Sequence, residues 1–298
     1  MDIGQLRKEV YGHIRQQQFS QAEDSLLAVK SFFAGKALGR WYFLFAETVL
    51  WSRPDDHTTF GEACTYACRL LQQDHEGLCA LYLLQMAVAI RRGEWHQAKI
   101  YIRRIRAMLR RHPTEYEIQR LQGSVLINEG LVERATGNFT RAISLLLKGI
   151  ADVKKYLHPP DERPRQILIV MSYLEVADIY LRLGQRGKAL EMLAKVDPAD
   201  IHDKEQGRYC YVQARYWLAL GSVDRAEEWL GRVGNRSSWD PDWPALLLEV
   251  RAGIARLRNQ ADVAIDLLKE ALEHATQRNN HILASALEYE LGHLEGRD

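Results

Sequence analysis

Apolar residues recur along the chain at the three- and four-residue spacing of amphipathic helices. One such stretch contains Ile169, Tyr173, Val176, Ala177 and Tyr180, a spacing that places all five on one helix face. The alternation of apolar and polar residues that marks a half-buried β-strand is missing over any useful length, and no βαβ pattern appears. The pattern therefore predicts an all-α protein.

A short phrase recurs between successive helical stretches. It starts with Gly, Asn or Gln and ends five residues later with Ala. The clear copies are Gly93–Ala98, Gly137–Ala142, Gly184–Ala189 and Gly221–Ala226, and the degenerate copies are Asn259–Ala264 and Gln17–Ala22. Twelve positions before four of these alanines stand the small residues Gly130, Ala177, Ala214 and Ala252, and four positions after the alanines stand Leu26, Ile102, Leu146, Leu193, Leu230 and Leu268. A Gly or Asn in the left-handed conformation ends one helix, and small residues let the next helix pack closely. Each phrase therefore predicts an antiparallel helical hairpin.

The phrase resembles the tetratricopeptide repeat (TPR), whose consensus has small residues at three positions and a Gly-x-aromatic-x-x-Ala turn. The resemblance covers residues 80–275, although the anchor alanines at 98, 142, 189, 226 and 264 are 44, 47, 37 and 38 residues apart, which is longer than the standard repeat. It implies seven hairpins in one right-handed superhelical array, a TPR-like α-solenoid. We expect degenerate hairpins in 1–76, TPR-like repeats in 77–278 and a C-terminal capping helix in 279–298.

Charge and composition restrict the function more than they define it. The chain has 40 Lys and Arg against 39 Asp and Glu, so net charge gives no general reason to expect a nucleic acid or an anionic membrane as partner. No signal-peptide core and no apolar stretch long enough to cross a bilayer is visible, and a cytoplasmic location is expected. A phosphate-binding glycine loop, a His-Glu-x-x-His helix and a nucleophile elbow are also missing. We therefore predict no enzyme, no catalytic residue and no cofactor.

The cysteines offer the most suggestive metal-ligand spacing in the sequence. Cys64 and Cys68 lie one helical turn apart, and His75 and Cys79 follow in the next helix. Four such ligands can hold zinc, but free cysteine is among the most buried residue types. Burial in the core is the favoured interpretation, and no metal site is predicted. The aromatic run from Trp41 to Phe45 is likewise expected in the core of the first hairpins.

The resemblance implies binding positions on the first helix of each repeat, which lines the concave groove of TPR arrays. The positions carried over are Leu83, Ala87, Arg91, Ile127, Asn128, Leu131, Arg134, Leu174, Glu175, Asp178, Arg182, Arg208, Tyr211, Arg215, Glu249 and Arg256. Because an unpaired buried charge is costly, part of this set is expected to face water or a ligand. Asn128 can bond an extended peptide backbone, and Arg134, Arg182 and Arg215 can each bind a carboxylate through two hydrogen bonds.

A basic stripe offers a second candidate surface. Between Arg91 and His112 there are eight Lys or Arg and a single acid, and Lys99, Arg103, Arg106 and Arg110 share one helix face. Such a stripe can contact phosphates or an acidic protein surface, or it can simply be a solvated outer face. The opposite face is marked by Ile102, Ile105 and Leu109, which we expect to be buried.

These observations favour a non-enzymatic scaffold that binds a peptide or protein segment through the groove, with regulation as one biological role. Two bacterial groups of TPR-like proteins have similar features. One comprises the peptide-pheromone receptors and response-regulator inhibitors of Gram-positive bacteria, and the other comprises the helical sensor segments of LuxR-type activators, which Ala226–Leu230 resembles. The alternative is a structural subunit of a larger protein or nucleoprotein assembly that binds through the convex surface and the stripe within 91–112. Self-association and nucleic-acid binding stay open.

Overall fold

The protein's structure, a computed structural model, describes residues 2–16, 18–53, 56–156, 162–201, 203–233, 242–278 and 280–295. Within these residues the chain forms sixteen α-helices, two short 3-10 turns (Lys30–Phe32 and Pro198–Asp200) and no β-strand. The predicted all-α class is therefore confirmed. None of the described helices is both long enough and apolar enough to cross a membrane.

The helices fall into two compact units. The first unit, Met1–Ala87 with Ile100–Leu121, contains α1 (Ile3–Arg15), α2 (Phe19–Val29), α3 (Gly35–Ser52), α4 (His57–Leu70) and α7 (Tyr116–Gln119). The second unit, Val88–Lys99 with Gln122–Asp298, contains α8 (Gln122–Ala135), α9 (Phe139–Lys155), α10 (Glu162–Arg182), α11 (Arg186–Leu193), α12 (Asp203–Ala219), α13 (Val223–Val233), α14 (Trp243–Leu257), α15 (Ala261–Gln277) and α16 (His281–Leu294). Parts of α5 (His75–Arg91) and α6 (Trp95–Arg111) belong to each unit.

Consecutive helices pair as the repeated phrase predicts. In the described chain, α1 packs on α2, α3 on α4, α8 on α9, α10 on α11, α12 on α13 and α14 on α15. Contacts between Cys79 and Met108 and between Tyr82 and Tyr101 join α5 to α6. These seven hairpins and the final helix α16, which packs on α15, are TPR-like.

The hairpin turns have the predicted backbone conformation. The starting residues of the five later phrases all have positive φ: Gly93 (70°), Gly137 (79°), Gly184 (69°), Gly221 (76°) and Asn259 (60°). At the second of these turns, the Gly137 N–H donates to the carbonyl of Arg134 at 3.0 Å and the Asn138 N–H donates to that of Glu133 at 2.9 Å. These two bonds satisfy carbonyls that the end of a helix leaves unpaired. Gln17, at the start of the worn first copy, lies outside the described residues.

Small residues stand where the paired helices cross. The five anchor alanines at 98, 142, 189, 226 and 264 are fully buried, and so are Ala177, Ala214 and Ala252. A Cβ placed on Gly130 would lie 2.8 Å from Leu146 Cγ, and one placed on Gly149 would lie 2.6 Å from Ile127 Cγ1. Backbones at such crossings are too close for a larger side chain. The predicted hairpin register is therefore confirmed.

Each unit has its own apolar core. In the first unit, Trp41 is buried among residues of α1 and α2, including Leu6 and Leu26, and its indole N–H donates to the Leu26 carbonyl at 2.8 Å. The predicted core position is therefore confirmed for Trp41, while Tyr42, Phe43 and Phe45 are partly buried and pack against this core. In the second unit one core extends from Ile127 to Leu291. A Cβ on Gly137 would lie 3.2 Å from Ile282, so the first turn of α16 lies against the α8–α9 turn.

Candidate functional site

Seven of the residues carried over from the TPR resemblance meet in the second unit and pair with one another. We call them the arginine–carboxylate network: Arg134 from α8, Glu175, Asp178 and Arg182 from α10, Arg208 and Arg215 from α12, and Glu249 from α14. These helices are the first members of four successive hairpins, which is why the repeat spacing brings the side chains together.

Asp178 is the centre of this network. It is fully buried and accepts hydrogen bonds from Arg215 Nη1 at 2.5 Å and from Arg208 Nη2 at 3.2 Å. Arg182 Nε and Arg134 Nη1 lie 3.8 and 4.0 Å from the same carboxylate. Four guanidinium groups therefore surround one buried negative charge.

The other two carboxylates complete the pairing on either side. Glu175 faces Arg208 at 3.1 Å and Arg134 at 3.2 Å. Glu249 accepts two bonds from Arg182, at 3.0 and 3.3 Å, and lies 3.5 Å from Arg215. Charge-assisted pairs with two parallel bonds are geometrically specific, so the arginine side chains are held in fixed positions.

The network shifts the ionisation of its own members. Burial alone would raise the pKa of the Asp178 carboxyl, but the four arginines outweigh it and hold that pKa well below its usual range. Burial also opposes the ionised form of Glu249, yet its two arginine partners lower its pKa as well. Both carboxylates therefore remain charged at neutral pH.

Tyr211 lies beside the network and connects it to the apolar core. Its ring packs edge-on against Trp243, with ring centres 5.3 Å apart, and the Arg208 guanidinium lies 4.9 Å from the ring centre. Its hydroxyl accepts a hydrogen bond from Arg215 at 3.3 Å. Burial raises the pKa of Tyr211 to about 12, so this hydroxyl stays protonated.

One edge of the network lines a cavity of about 430 Å³. Its wall holds three arginines and three carboxylates, together with the amide of Asn280: Arg134, Arg182, Arg215, Asp242, Glu249 and Glu290 are the charged residues. Apolar side chains complete it, among them Phe139 from α9, Leu246 from α14, and Ile282, Leu283, Ala286 and Leu287 from α16. A concave, largely apolar space with a few fixed polar groups is the usual form of a ligand site.

The other predicted groove residues are placed differently. Asn128 donates its amide N–H to the Ser124 carbonyl of its own helix at 2.9 Å. Arg91 is half-buried in the second unit, and burial lowers its pKa to about 9. Arg256 is half exposed and faces Glu290 of α16 at 3.8 Å. A binding role for these three residues stays a prediction.

Two residues at the centre of the carried-over set face neither water nor open space, and a binding role for them stays a prediction. Asp178 and Arg208 are 0% and 1% exposed, because each supplies the countercharge that makes burial of the other tolerable. The contribution of α16 to the cavity wall was not predicted from the sequence. Its periodic apolar residues predicted a cap on the last hairpin, but nothing local indicated that the same helix would line a cavity with α8, α10 and α14.

The basic stripe is divided between the two units. Arg103 and Arg110 are exposed in the first unit, Arg106 is half-buried there, and Lys99 is exposed in the second unit. Ile102 and Ile105 are buried as predicted, whereas Leu109 is only half-buried. The stripe thus has exposed cations, and its partner stays a prediction.

The cysteines behave as core residues. Cys64 and Cys79 are buried and Cys68 is half-buried, all as free thiols. Cys79 Sγ lies 3.6 Å from Met108 Sδ, and burial raises the pKa of Cys79 to about 12. Buried packing is therefore the correct interpretation for Cys64 and Cys79.

Comparison with known proteins identifies a structural likeness only. No protein-family model matches the chain, and no curated protein matches it. Among solved structures, a tetratricopeptide repeat protein from Parabacteroides merdae is similar, with 16% sequence identity and a TM-score of 0.45 over 96% of this chain and 98% of that one.

Proposed function

We propose that the protein is a non-enzymatic scaffold that binds a segment of another protein in the cavity of the second unit. The observation that carries this proposal is the combination of three arginines, three carboxylates and an otherwise largely apolar wall around one space of about 430 Å³. That volume lies within the usual range of about 300–1,000 Å³ for ligand sites. It suits a short stretch of a bound segment rather than a whole folded surface.

Within a wall that holds both arginines and carboxylates, the arginines are the groups that can bind a carboxylate, from an acidic side chain or a free C-terminus. A guanidinium has five N–H donors, so the pairing of Arg182 and Arg215 with Glu249 does not use all of them. Because the network already fixes both side chains, little rotamer entropy is lost when a ligand arrives. A carboxylate bound there gains charge-assisted hydrogen bonds in a partly desolvated space.

The network itself is a poor place to test binding by mutation. Replacing Arg215 by Glu would set a third carboxylate against Asp178 and Glu249, and the loss of folding would be confused with loss of binding. Ala286 is a better position, because it is exposed on α16 and lines the cavity. Ala286→Trp is expected to fill the cavity while leaving the network intact. Ser285→Trp is the matched control, since Ser285 is exposed on the same helix and is not part of the cavity wall.

The test compares partners captured by tagged wild-type, Ala286→Trp and Ser285→Trp protein, with quantitative mass spectrometry of bound proteins. Segments of the captured proteins are then titrated as peptides, with and without their carboxylates. We expect Ala286→Trp alone to lose the partner, and removal of a carboxylate to weaken peptide binding at least about tenfold. Equal capture by all three proteins would refute the cavity as the binding site.

The basic stripe provides the alternative outcome. Arg103→Glu and Arg110→Glu change exposed residues and are expected to leave capture unchanged. If they abolish capture while Ala286→Trp does not, the function belongs to the stripe and an assembly role is favoured. Nucleic-acid binding by the stripe would in addition weaken steeply as salt rises.

A further inference from the structure

Three potential metal ligands converge in the first unit, where three helices meet. His75 is the first residue of α5, His112 follows the last residue of α6, and Glu115 is the N-cap residue of α7. Their ligand atoms all lie within 4.8 Å of one another. No other cluster of this kind is found among the described residues.

The potential ligand atoms are near one another but are not yet arranged around an ion. Glu115 Oε1 lies 2.6 Å from His112 Nδ1 and 3.8 Å from His75 Nδ1, and the two imidazole rings are 3.8 Å apart at their centres. Bonds of about 2.0–2.1 Å from a tetrahedral zinc ion place neighbouring ligand atoms roughly 3.3 Å apart. The 2.6 Å contact is a hydrogen bond between His112 Nδ1 and Glu115 Oε1, which zinc would replace with release of a proton. The two imidazole rings would also have to move apart, because two ligands of one tetrahedral ion have ring centres roughly 5 Å apart.

We propose that His75, His112 and Glu115 bind one Zn²⁺ ion through the two Nδ1 atoms and a carboxylate oxygen. Two imidazoles and a carboxylate suit a borderline cation such as zinc better than Mg²⁺ or Ca²⁺, which take mainly oxygen ligands. Three protein ligands leave the fourth tetrahedral position to water or to a group from another molecule. His75 and Glu115 are 41% and 48% exposed, so an ion can reach the site from solvent.

The backbone around two of the ligands is held by local hydrogen bonds. The Gln119 amide donates to the carbonyls of Leu109 and His112, at 3.2 and 3.0 Å, and fixes the connection from α6 to α7. Pro113 restricts the backbone between His112 and Glu115. A site whose supporting backbone is already fixed loses less entropy when the ion binds.

The neighbouring acid and sulfur groups are engaged elsewhere. Glu76, next to His75, pairs with Arg40 at 3.1 Å and with Arg120 at 3.2 Å. Cys79 lies one turn after His75 on α5, and Met108 lies on the last turn of α6, four residues before His112, but the two sulfur atoms face each other in the core. The proposed ligand set is therefore limited to two nitrogens and one oxygen.

Titration of Zn²⁺ into the full chain tests this proposal, with the affinity tag removed and metals stripped by a chelator. We expect one Zn²⁺ per chain, and at least about tenfold weaker binding in each of His75→Ala, His112→Ala and Glu115→Gln. His96→Ala, an exposed histidine on α6, and Cys79→Ala are the controls and should bind zinc like the wild type. Circular dichroism of the metal-free variants checks that each one folds.

A second readout identifies the ligand atoms. The Co²⁺-substituted protein should show the visible absorption of a tetrahedral ion without a thiolate charge-transfer band. The proposal is overturned if the wild type binds less than one equivalent, if His112→Ala binds as tightly as the wild type, or if affinity is lost only in Cys79→Ala. A thiolate band in the Co²⁺ spectrum would also overturn it.

Discussion

Removal of the buried charge at Asp178 is the most direct test of the network. Asp178→Asn keeps the size of the side chain, so its effect on packing is small. The change leaves four guanidinium groups around a neutral amide. Two of them lie within hydrogen-bond distance of the present carboxylate, at 2.5 and 3.2 Å. Breaking a buried ion pair by removing one partner costs about 3–5 kcal/mol.

The other carboxylates limit the cost to the lower part of that range. Glu175 would still face Arg134 and Arg208, and Glu249 would still face Arg182 and Arg215. Every arginine of the network therefore still has a carboxylate neighbour, although two carboxylates are shared by four arginines. We expect Asp178→Asn to lower the free energy of unfolding by about 3 kcal/mol, a large part of the roughly 5–15 kcal/mol of an ordinary domain.

Urea unfolding at pH 7 measures the loss, and hydrogen exchange of α10 and α12 assigns it to the second unit. Asp266→Asn is the matched control, because it makes the same chemical change at an exposed position of α15. The control should change stability by no more than about 0.5 kcal/mol. If the two variants lie within about 1 kcal/mol of each other, the network is screened by solvent and our account of it is wrong.

Three further predictions concern pH, packing and turns. The pKa values of Asp178 and Glu249 are lowered, so their contribution is complete above pH of about 4–5 and is lost at lower pH. Urea titrations at decreasing pH should therefore show a shallower loss for Asp178→Asn than for the wild type, and parallel curves would contradict this. Ala214→Leu, at a fully buried crossing, should cost about 1–3 kcal/mol, and an unchanged melting temperature would show that the register is wrong. Gly184→Ala places a side chain at positive φ and should cost about 1–2 kcal/mol of stability. Gly187→Ala is the control inside α11, where an added Cβ also meets nothing, and it should stabilise the protein by about 0.5–1 kcal/mol. Equal thermal shifts for the two variants would refute the role of the turn.

The hairpins could be predicted because their determinants are local. A residue that can take positive φ ends the first helix, and it stands a fixed number of positions from the small residues at the crossing. All of these residues lie within about one hairpin, so a short stretch of sequence is enough to predict the turn and the packing of its two helices. Gly137 and Ala142, for example, have the positive φ and the full burial that the phrase requires.

The pairing of the network charges could not be predicted in this way. Arg182 and Glu249 are 67 residues apart, and whether they meet depends on the rotation of each hairpin relative to the next. Asn128 is a second example: its amide was expected to be available to a peptide, but it donates to a carbonyl of its own helix. The zinc ligands come from a helix start, a helix end and a short connection. No periodic pattern relates such positions.

The charge balance of the network links its stability to the proposed function. Arg134, Arg182, Arg208 and Arg215 face three carboxylates, so the seven groups carry four positive charges, three negative charges and a net charge of +1. Replacing a buried ion-pair network by well-packed apolar residues is often neutral or stabilising in proteins, so folding alone is a weak explanation for this arrangement. The proposed function gives the charges a role in recognition, because the arginines that line the cavity can pair with a carboxylate that enters it. An apolar segment of the same size makes no such pair, so this proposal predicts that it binds the cavity more weakly than a segment with a carboxylate.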